Sequence, residues 1–431
     1  MAVDSNVLLY TTIGDVIRKH RIQANISLSQ LAKLSGLSKS VISKLEGGDT
    51  RHPELRTVRA IAEVLDIPYE MIVEHYIQVE QRVEALFDLV VEAIGFCNTS
   101  LVSKVALKFL ESPHAYTDIA LERLFTLAGT VTNTEIKLLL YKIIVKYARE
   151  HGIPKYIAKG LLQKYLIDRC DLKRLEESFQ VGKEILHYTD FLAHEEKIIL
   201  YYRMALHAHN IKKYDECIEF GKLGHAEDIT SNELKERVAL AICNSYSFLG
   251  KYETLEEHLA LYEKLKYSFI IERIKYFRAI ILSRTGNYHE AIPLLRECLT
   301  EITDSNRLHR VNMLLEALFI INDLDSIRKI LDSEENKILV QYNDPYQFAE
   351  LGRYYRYKGT FLVKSGCFNE GMAAFLNSIL HYGKISDHKN ITQCTDDIYT
   401  YHCLFEKTIN LELLRKFKEV YNTLIKEQSE G

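Results

Sequence analysis

Residues 27–48, SLSQLAKLSGLSKSVISKLEGG, contain the local signals that decide how the N-terminal part of the chain folds. Ser27 and Gln30 form a capping-box pattern, because each side chain can satisfy an unpaired amide of the other residue at the start of a helix. The pattern predicts a helix that runs through Ser35. Gly36 then permits a tight turn, since glycine adopts positive φ without steric cost.

Four further helices are predicted around this turn. Ser38 is a favourable N-cap for a helix that ends at Gly47-Gly48. A first helix spans Ile13–Gln23, a fourth follows Pro53, and Asp66-Ile-Pro68 opens a fifth. The apolar residues predicted to face the core of this module are Ile13, Val16, Ile17 and Ile22, then Val41, Ile42 and Leu45, then Leu55, Val58, Ile61, Ala62 and Leu65.

The spacing around the turn is specific. Ala32 lies four residues before Gly36 and Ile42 lies six after it, where a helix-turn-helix requires a small residue, a glycine and an apolar wedge. From residue 12 to about 74 the sequence resembles the lambdoid-phage-repressor and XRE type of helix-turn-helix. The matching pieces are IRKHRIQANISLSQLAKLSGLSKSVISKLEGG and TVRAIAEVLDIP. The resemblance implies a five-helix module whose third helix enters the major groove.

Charge supports this interpretation locally. Between Val16 and Leu45 the chain contains six basic residues and no acidic one: Arg18, Lys19, Arg21, Lys33, Lys39 and Lys44. On the third helix, polar residues lie away from the apolar side, and by position they match the base-contacting and phosphate-contacting residues of the family. The predicted DNA-binding residues are Arg18, Ser38, Lys39, Ser40, Ser43, Lys44 and Arg51. The alternative is an ordinary solvated helix face.

The composition of the whole chain predicts an all-α protein. Its 431 residues include only 6 prolines and 19 glycines, and no alternation of β-branched residues marks a strand. The net charge of −4 does not by itself indicate a nucleic-acid-binding protein. No apolar run reaches the ~18–20 residues of a membrane span, no signal peptide is evident, and the eight cysteines form no CxxC pair. A cytoplasmic protein with free thiols, not at a membrane, is expected.

Beyond residue 75 the chain shows a weak internal period. NSYSFLGKYETLEEHLALY and RAIILSRTGNYHEAIPLLRECL align at their glycines and following tyrosines, 36 residues apart. The pattern resembles a degenerate tetratricopeptide repeat, in about seven copies from 157 to 428. The resemblance implies a right-handed superhelix whose concave groove is lined by the first helix of each pair. We predict a DNA-binding domain at 1–74, a linker helix and helical adaptor at 75–156, and a repeat domain at 157–431.

Polar side chains on the first helices are predicted to face that groove and to bind a peptide there. Asparagine suits a peptide backbone because its amide both donates and accepts, and arginine suits a carboxylate. The predicted peptide-binding residues are Tyr202, Asn210, Arg237, Asn244, Tyr276, Asn312, Glu316, Arg353 and Arg356. The alternative is that these residues belong to solvated helix faces.

No catalytic motif is evident. The chain lacks a glycine-rich phosphate loop, a GxSxG and an HExxH, so an enzyme is not expected. His207 and His209 are two residues apart and therefore lie on different faces of a helix, so neither a metal site nor a cofactor is predicted.

The combination of an XRE-type helix-turn-helix with degenerate tetratricopeptide repeats resembles the RRNPP family of Gram-positive bacteria and their phages. This resemblance implies a quorum-sensing transcriptional regulator; the arbitrium receptors, which govern phage lysis against lysogeny, are one branch of the family. It implies a homodimer on a double-stranded operator with two half-sites, and a short signalling peptide in the groove that changes DNA affinity. Two alternatives remain open: repeats that bind an anti-repressor or polymerase subunit, and a toxin-neutralising or scaffold protein that autoregulates.

Overall fold

The computed structural model describes residues 12–50, 53–301, 307–338 and 345–429, and all regular secondary structure within these ranges is helical. The chain divides into two compact units, Met1–Thr230 and Ser231–Gly431. The all-α prediction is confirmed. None of the described helices is both long enough and apolar enough to cross a membrane.

Five short helices open the first unit, as predicted. Their bounds are α1 Ile13–Gln23, α2 Leu28–Ser35, α3 Lys39–Glu46, α4 Leu55–Leu65 and α5 Tyr69–Val79.

The predicted caps and turn of α2 and α3 are present. The Ser27 amide donates to Gln30 Oε1 at 2.9 Å, and the Gln30 amide donates to the Ser27 hydroxyl at 3.3 Å. Gly36 ends α2 with a φ of 72°, and Ser38 caps α3 by accepting from the Val41 amide at 3.2 Å. Local hydrogen bonding therefore determines where both helices begin and how the chain turns between them.

The core of this module contains most of the predicted apolar residues, with two corrections. Ile42 and Leu45 of α3 are buried, as are the predicted residues of α4 from Val58 onward. Ile22 and Val41, however, are 56% and 40% exposed. Ile22 lies in the last turn of α1, and the last buried residue of that helix is Ile17.

Helices α1 and α3 approach closely at a glycine. A β carbon at Gly14 would lie 2.2 Å from the carbonyl oxygen of Leu45, well inside van der Waals contact. Only glycine fits here without moving α3, so Gly14 helps to fix the position of the predicted recognition helix.

The turn after α5 is held by a buried carboxylate. Glu80 is 2% exposed and accepts hydrogen bonds from the Tyr76 hydroxyl, the Arg82 guanidinium and the Gln81 and Arg82 amides, at 2.6–3.0 Å. Burial alone would raise the pKa of Glu80, but the hydrogen bonds from Arg82 and Tyr76 outweigh it and lower the pKa to about 2.

We expect Glu80→Gln to lower the free energy of unfolding by about 2 kcal/mol at pH 7, since charge-assisted hydrogen bonds are lost. A depressed folded pKa stabilises the fold above the ordinary carboxyl pKa, here 4.5, and this contribution is lost as the pH falls toward 2. Thermal unfolding of both proteins between pH 7 and pH 3 should therefore show a difference that shrinks with acidity. Glu70→Gln, an exposed site on α5, is the matched control. A pH-independent difference would contradict the prediction.

Four helices follow that belong to no clear repeat. They are α6 Val83–Gly95, α7 Thr99–Leu110, α8 Thr117–Thr130 and α9 Thr134–Glu150, with α6 packed on α7 and both α7 and α8 packed on α9.

Seven helix pairs then follow, in the number predicted from the repeat. The first unit contains α10 Pro154–Asp168 with α11 Leu175–Ile185, and α12 His194–Asn210 with α13 Tyr214–Glu227, with two short 3₁₀ segments at Leu172–Arg174 and Leu186–Phe191. The second unit contains α14 Glu233–Phe248 with α15 Tyr252–Lys264, the single turn α16 Ser268–Ile271, α17 Ile274–Arg284 with α18 Tyr288–Thr300, α19 Arg307–Ile320 with α20 Leu324–Ile338, α21 Pro345–Lys364 with α22 Phe368–Gly383, and α23 His388–Leu404 with α24 Leu411–Ser429.

The repeated turns share one backbone conformation. In the aligned repeats, the residue two positions before the second helix has positive φ, from 70° at Gly250 to 90° at Gly366. Lys212 and Asn322 adopt the same conformation at the equivalent positions without a glycine, at 62° and 57°. The turn geometry therefore persists where the sequence signal is lost, because the helix ends on a left-handed residue in either case.

The predicted domain boundaries remain predictions. Helix α5 continues past residue 74, and the division at Thr230 falls inside the predicted repeat domain.

Candidate functional site

The outward face of α3 is the first candidate site. Helix α3 buries Ile42 and Leu45, and its opposite side is open to solvent. The predicted DNA-facing residues on that side are all exposed: Ser38, Lys39, Ser40, Ser43 and Lys44. Arg18 on α1 is exposed as well. Arg51 lies outside the described residues. A solvated row of hydroxyl and ammonium groups on a rigid helix has the chemistry required to contact base edges and phosphates.

The positive field around α3 is smaller than predicted. Arg21 donates to both carboxylate oxygens of Glu46 at 2.7 Å and to the Ile26 carbonyl at 3.0 Å. The Arg21 and Glu46 side chains are only 14% and 7% exposed. Arg21 therefore joins α1 to the end of α3 and is unavailable to DNA; Glu46 lies one residue beyond the acid-free window.

Two residues predicted for the groove lie on α12. Tyr202 is 1% exposed and its hydroxyl donates to Asp228 at 3.0 Å, so the prediction that it faces the groove is wrong. Its ring is packed where a β carbon at Gly224 would collide with it at 2.5 Å. Asn210, the last residue of α12, is exposed.

Two more predicted residues lie on α14 in the second unit. Arg237 is exposed and pairs with Glu233 one turn earlier at 2.7 Å, with its guanidinium 5.5 Å from the centre of the Phe269 ring. Asn244 is half-buried.

The remaining predicted residues are brought together across α17, α19 and α21. Arg284 of α17 donates to both oxygens of Glu316 on α19 at 2.7 and 3.1 Å. Glu316 also accepts from Arg353 on α21. Three residues further along α21, Arg356 donates to both oxygens of Asp397 on α23, at 2.6 and 3.2 Å. We call this series of contacts the ion-pair ladder; it links the first helices of four successive pairs.

A buried polar cluster lies beside the ladder. Asn312 is fully buried, so the prediction that its side chain faces the groove is wrong; its amide nitrogen donates to the Glu350 carbonyl at 2.8 Å and to the Glu350 carboxylate at 2.7 Å. His309 Nδ1 lies 2.9 Å from the other oxygen of that carboxylate. Burial alone would raise the pKa of Glu350, but its contacts with His309, Arg353 and Asn312 lower it.

Tyr276 of α17 packs against this cluster. Its ring contacts the His309 ring edge-on at 5.9 Å, and the Arg310 guanidinium lies 4.8 Å from its centre. Burial raises the pKa of Tyr276 well above its ordinary value. The Tyr276 hydroxyl and Asn312 Oδ1 are buried without a hydrogen-bond partner among the described atoms.

A cavity of about 620 Å³ opens between α19, α21 and α23, entirely within the second unit. Arg353 and Arg356 line it, together with Phe319, Ala349, Glu350, Tyr357, Thr360, Lys364, Tyr382, Asn390, Asp397 and Tyr401. Charged groups, amides and aromatic rings therefore converge on one concave site, which is suited to a ligand with both apolar and polar groups.

Several of these residues were not predicted. Glu350, Tyr357, Thr360 and Lys364 line the cavity with the two predicted arginines, and together with Arg353 these four recur at intervals of three or four residues along α21. This helical stripe is visible in the sequence. Asp397 could not be identified in that way, because it is recognised only through its contact with Arg356.

Residues 17–72 match the model of a protein family described as helix-turn-helix. Two curated relatives from Bacillus subtilis (strain 168) share this part: the uncharacterized HTH-type transcriptional regulator RghRB, 39% identical over 57 residues, and the HTH-type transcriptional repressor RghR, 37% identical over 59. These matches cover 13% and 14% of this chain, and the chain spans only 41% and 44% of the relatives' lengths. Residues 17–72 are thus a helix-turn-helix, and helical repeats follow it.

Three solved structures are similar to larger parts of the chain. The first is the Rap protein complexed with competence and sporulation factor, with 10% identity, 78% of this chain and 100% of that chain covered, and a TM-score of 0.38. The second is Bacillus thuringiensis PlcR in complex with the peptide PapR7 and DNA, with 16% identity, 93% and 100% covered, and a TM-score of 0.25. The third is phAimR, with 15% identity, 94% and 99% covered, and a TM-score of 0.36.

Proposed function

We propose that this chain is a transcriptional regulator that binds operator DNA through α3 and binds a short signalling peptide in the cavity between α19, α21 and α23. The resemblance to the RRNPP family adds a homodimer on two half-sites and a quorum-sensing or phage lysis-lysogeny role. The DNA-binding part is supported by the helix-turn-helix match and by the exposed lysines and serines of α3.

The cavity is the observation that carries the peptide-binding part. Three first helices line it, and it offers guanidinium, carboxylate, amide and hydroxyl groups beside four aromatic rings. A peptide presents all the complementary chemistry: backbone donors and acceptors, charged ends and apolar side chains. About 620 Å³ accommodates a few residues of a peptide rather than a protein domain.

The ion-pair ladder gives the cavity a means to respond to its ligand. The pairs Glu316–Arg353 and Arg356–Asp397 join α19 to α21 and α21 to α23. A peptide bound among these helices favours the helix spacing at which its own contacts are best. If two helix spacings differ in DNA affinity, the peptide can change DNA binding by at most the difference between its own binding free energies for those two spacings.

The experiment is a selection of random hexapeptides on the full chain, with retained peptides identified by mass spectrometry. The wild type is expected to retain a defined subset. Thr360→Phe, which places an aromatic ring inside the cavity, should abolish retention, whereas Thr400→Phe, an exposed site on α23, should not. Equal retention by the Thr360→Phe variant would place the peptide elsewhere. No retention by the wild type would reject peptide binding and favour a protein partner for the repeats.

A further inference from the structure

The charges that line the cavity are already paired, with one exception. The Arg353 guanidinium contacts Glu316, donates to the Tyr357 hydroxyl at 3.3 Å and lies 4.0 Å from Glu350. The Arg353 guanidinium is therefore already paired with side chains of the chain itself. A ligand carboxylate could reach Arg353 only by displacing a carboxylate that is already there.

Arg356 is occupied in the same way. Both oxygens of Asp397 accept from it, and Gln393 Oε1 accepts from its Nη1 at 2.9 Å. Breaking such a partly buried pair leaves one charge away from water without a partner, and this costs free energy. The two arginines therefore link the helices that line the cavity through the chain's own carboxylates.

Lys364 is the exception. It lies one helical turn after Thr360 at the C-terminal end of α21, is exposed to solvent, and lines the cavity. Its ammonium nitrogen is 5.9 Å from the centre of the Phe319 ring and, within the described part of the chain, makes no ion pair with a carboxylate. An anionic ligand group can thus approach Lys364 without displacing anything.

The surroundings of Lys364 are aromatic. Phe319 and Tyr357 stack on each other with ring centres 5.5 Å apart, and Tyr401 lines the same cavity while stacking on Phe375 at 5.8 Å. These rings are fixed by their own packing, so they offer a rigid apolar surface beside the ammonium group. An apolar side chain of a ligand can be buried there while a neighbouring carboxylate pairs with Lys364.

We infer that Lys364 determines which peptides the cavity accepts, by pairing with a carboxylate of the peptide next to an apolar side chain that packs on Phe319, Tyr357 and Tyr401. The inference rests on the proposed peptide-binding function and names its ligand class: short peptides with an acidic side chain or a free C-terminal carboxylate adjacent to an apolar residue. Arg353 and Arg356 keep their internal partners and are positioning residues.

The test uses two random hexapeptide libraries, one with free C-terminal carboxylates and one amidated. The wild type should enrich peptides with an apolar residue next to the carboxylate. If the C-terminal carboxylate is the partner, enrichment appears only in the free library; if an acidic side chain is the partner, Asp or Glu is enriched in both.

Substitutions then locate the contact. The affinity for the best peptide should fall about tenfold or more in Lys364→Met, as expected for loss of a charge-assisted contact, and should be largely retained in Lys364→Arg. Lys418→Met, an exposed site on α24, is the control for loss of charge. If Lys364→Met binds the selected peptide as tightly as the wild type, the inference is overturned while peptide binding stands. If the wild type retains no peptide from either library, both fail.

Discussion

Replacing Lys39 and Lys44 together with alanine is expected to weaken operator binding by about 30-fold or more and to leave the fold intact. Both side chains project from the exposed side of α3, opposite buried Ile42 and Leu45. A base-edge contact is worth about 1–3 kcal/mol, so two such contacts are worth roughly 30-fold to 10⁴-fold in affinity. If a lysine contacts a phosphate instead, its loss should reduce the salt dependence of binding.

The operator for this measurement is obtained by selecting random-sequence duplexes on the wild-type chain. Titration by fluorescence anisotropy at several salt concentrations then separates base contacts, which change sequence preference, from phosphate contacts, which change the slope of log K against log salt. The double variant Lys264→Ala and Lys329→Ala removes the same charge from exposed positions in the repeats. If the α3 variant unfolds, or binds the operator like this control, the DNA-facing assignment of α3 is wrong.

Glu350→Ala is expected to lower the free energy of unfolding of the second unit by about 3–5 kcal/mol. The substitution removes a carboxylate that is 8% exposed and that contacts His309 and Asn312. Removing one partner leaves the others buried without hydrogen bonds, which costs about this much for a buried charged group. Glu350→Gln keeps an acceptor for the Asn312 amide and should be less damaging.

Hydrogen exchange of the full chain measures this loss of stability helix by helix. Amides of α19 and α21 should lose protection in Glu350→Ala, while those of α1–α5 should not change. Glu419→Ala, an exposed carboxylate on α24, is the matched control. Unchanged protection of α19 and α21 would mean that the buried cluster does not stabilise the repeats.

The sequence predicted the helix-turn-helix in detail because its signals are local. Caps at Ser27 and Ser38 and the turn at Gly36 act within four residues, so each can be recognised without knowledge of the fold. The pairing of Arg21 with Glu46 connects residues 25 positions apart and could not be predicted from spacing. The close approach at Gly14 likewise depends on the position of another helix.

The residues of the groove were predicted less completely, because their positions depend on contacts between residues far apart in the sequence. Helical periodicity showed that Arg353 and Arg356 share a stripe on α21, and the structure places both on one cavity. Periodicity does not distinguish a polar side chain that faces the groove from one that is buried with a partner. Tyr202 and Asn312 are of the second kind, because Asp228 and Glu350 provide hydrogen bonds that make their burial favourable.

The most direct test of peptide control is the operator affinity of the full chain with and without a saturating concentration of the peptide selected on it. We expect the Kd for the operator to change by about 5–150-fold, and the Kd for the peptide to change by the same factor when operator is present, since coupling between two sites is reciprocal. The change should disappear in Thr360→Phe. An operator affinity that is the same with the peptide bound and unbound would contradict the proposal that the repeats control DNA binding through a peptide.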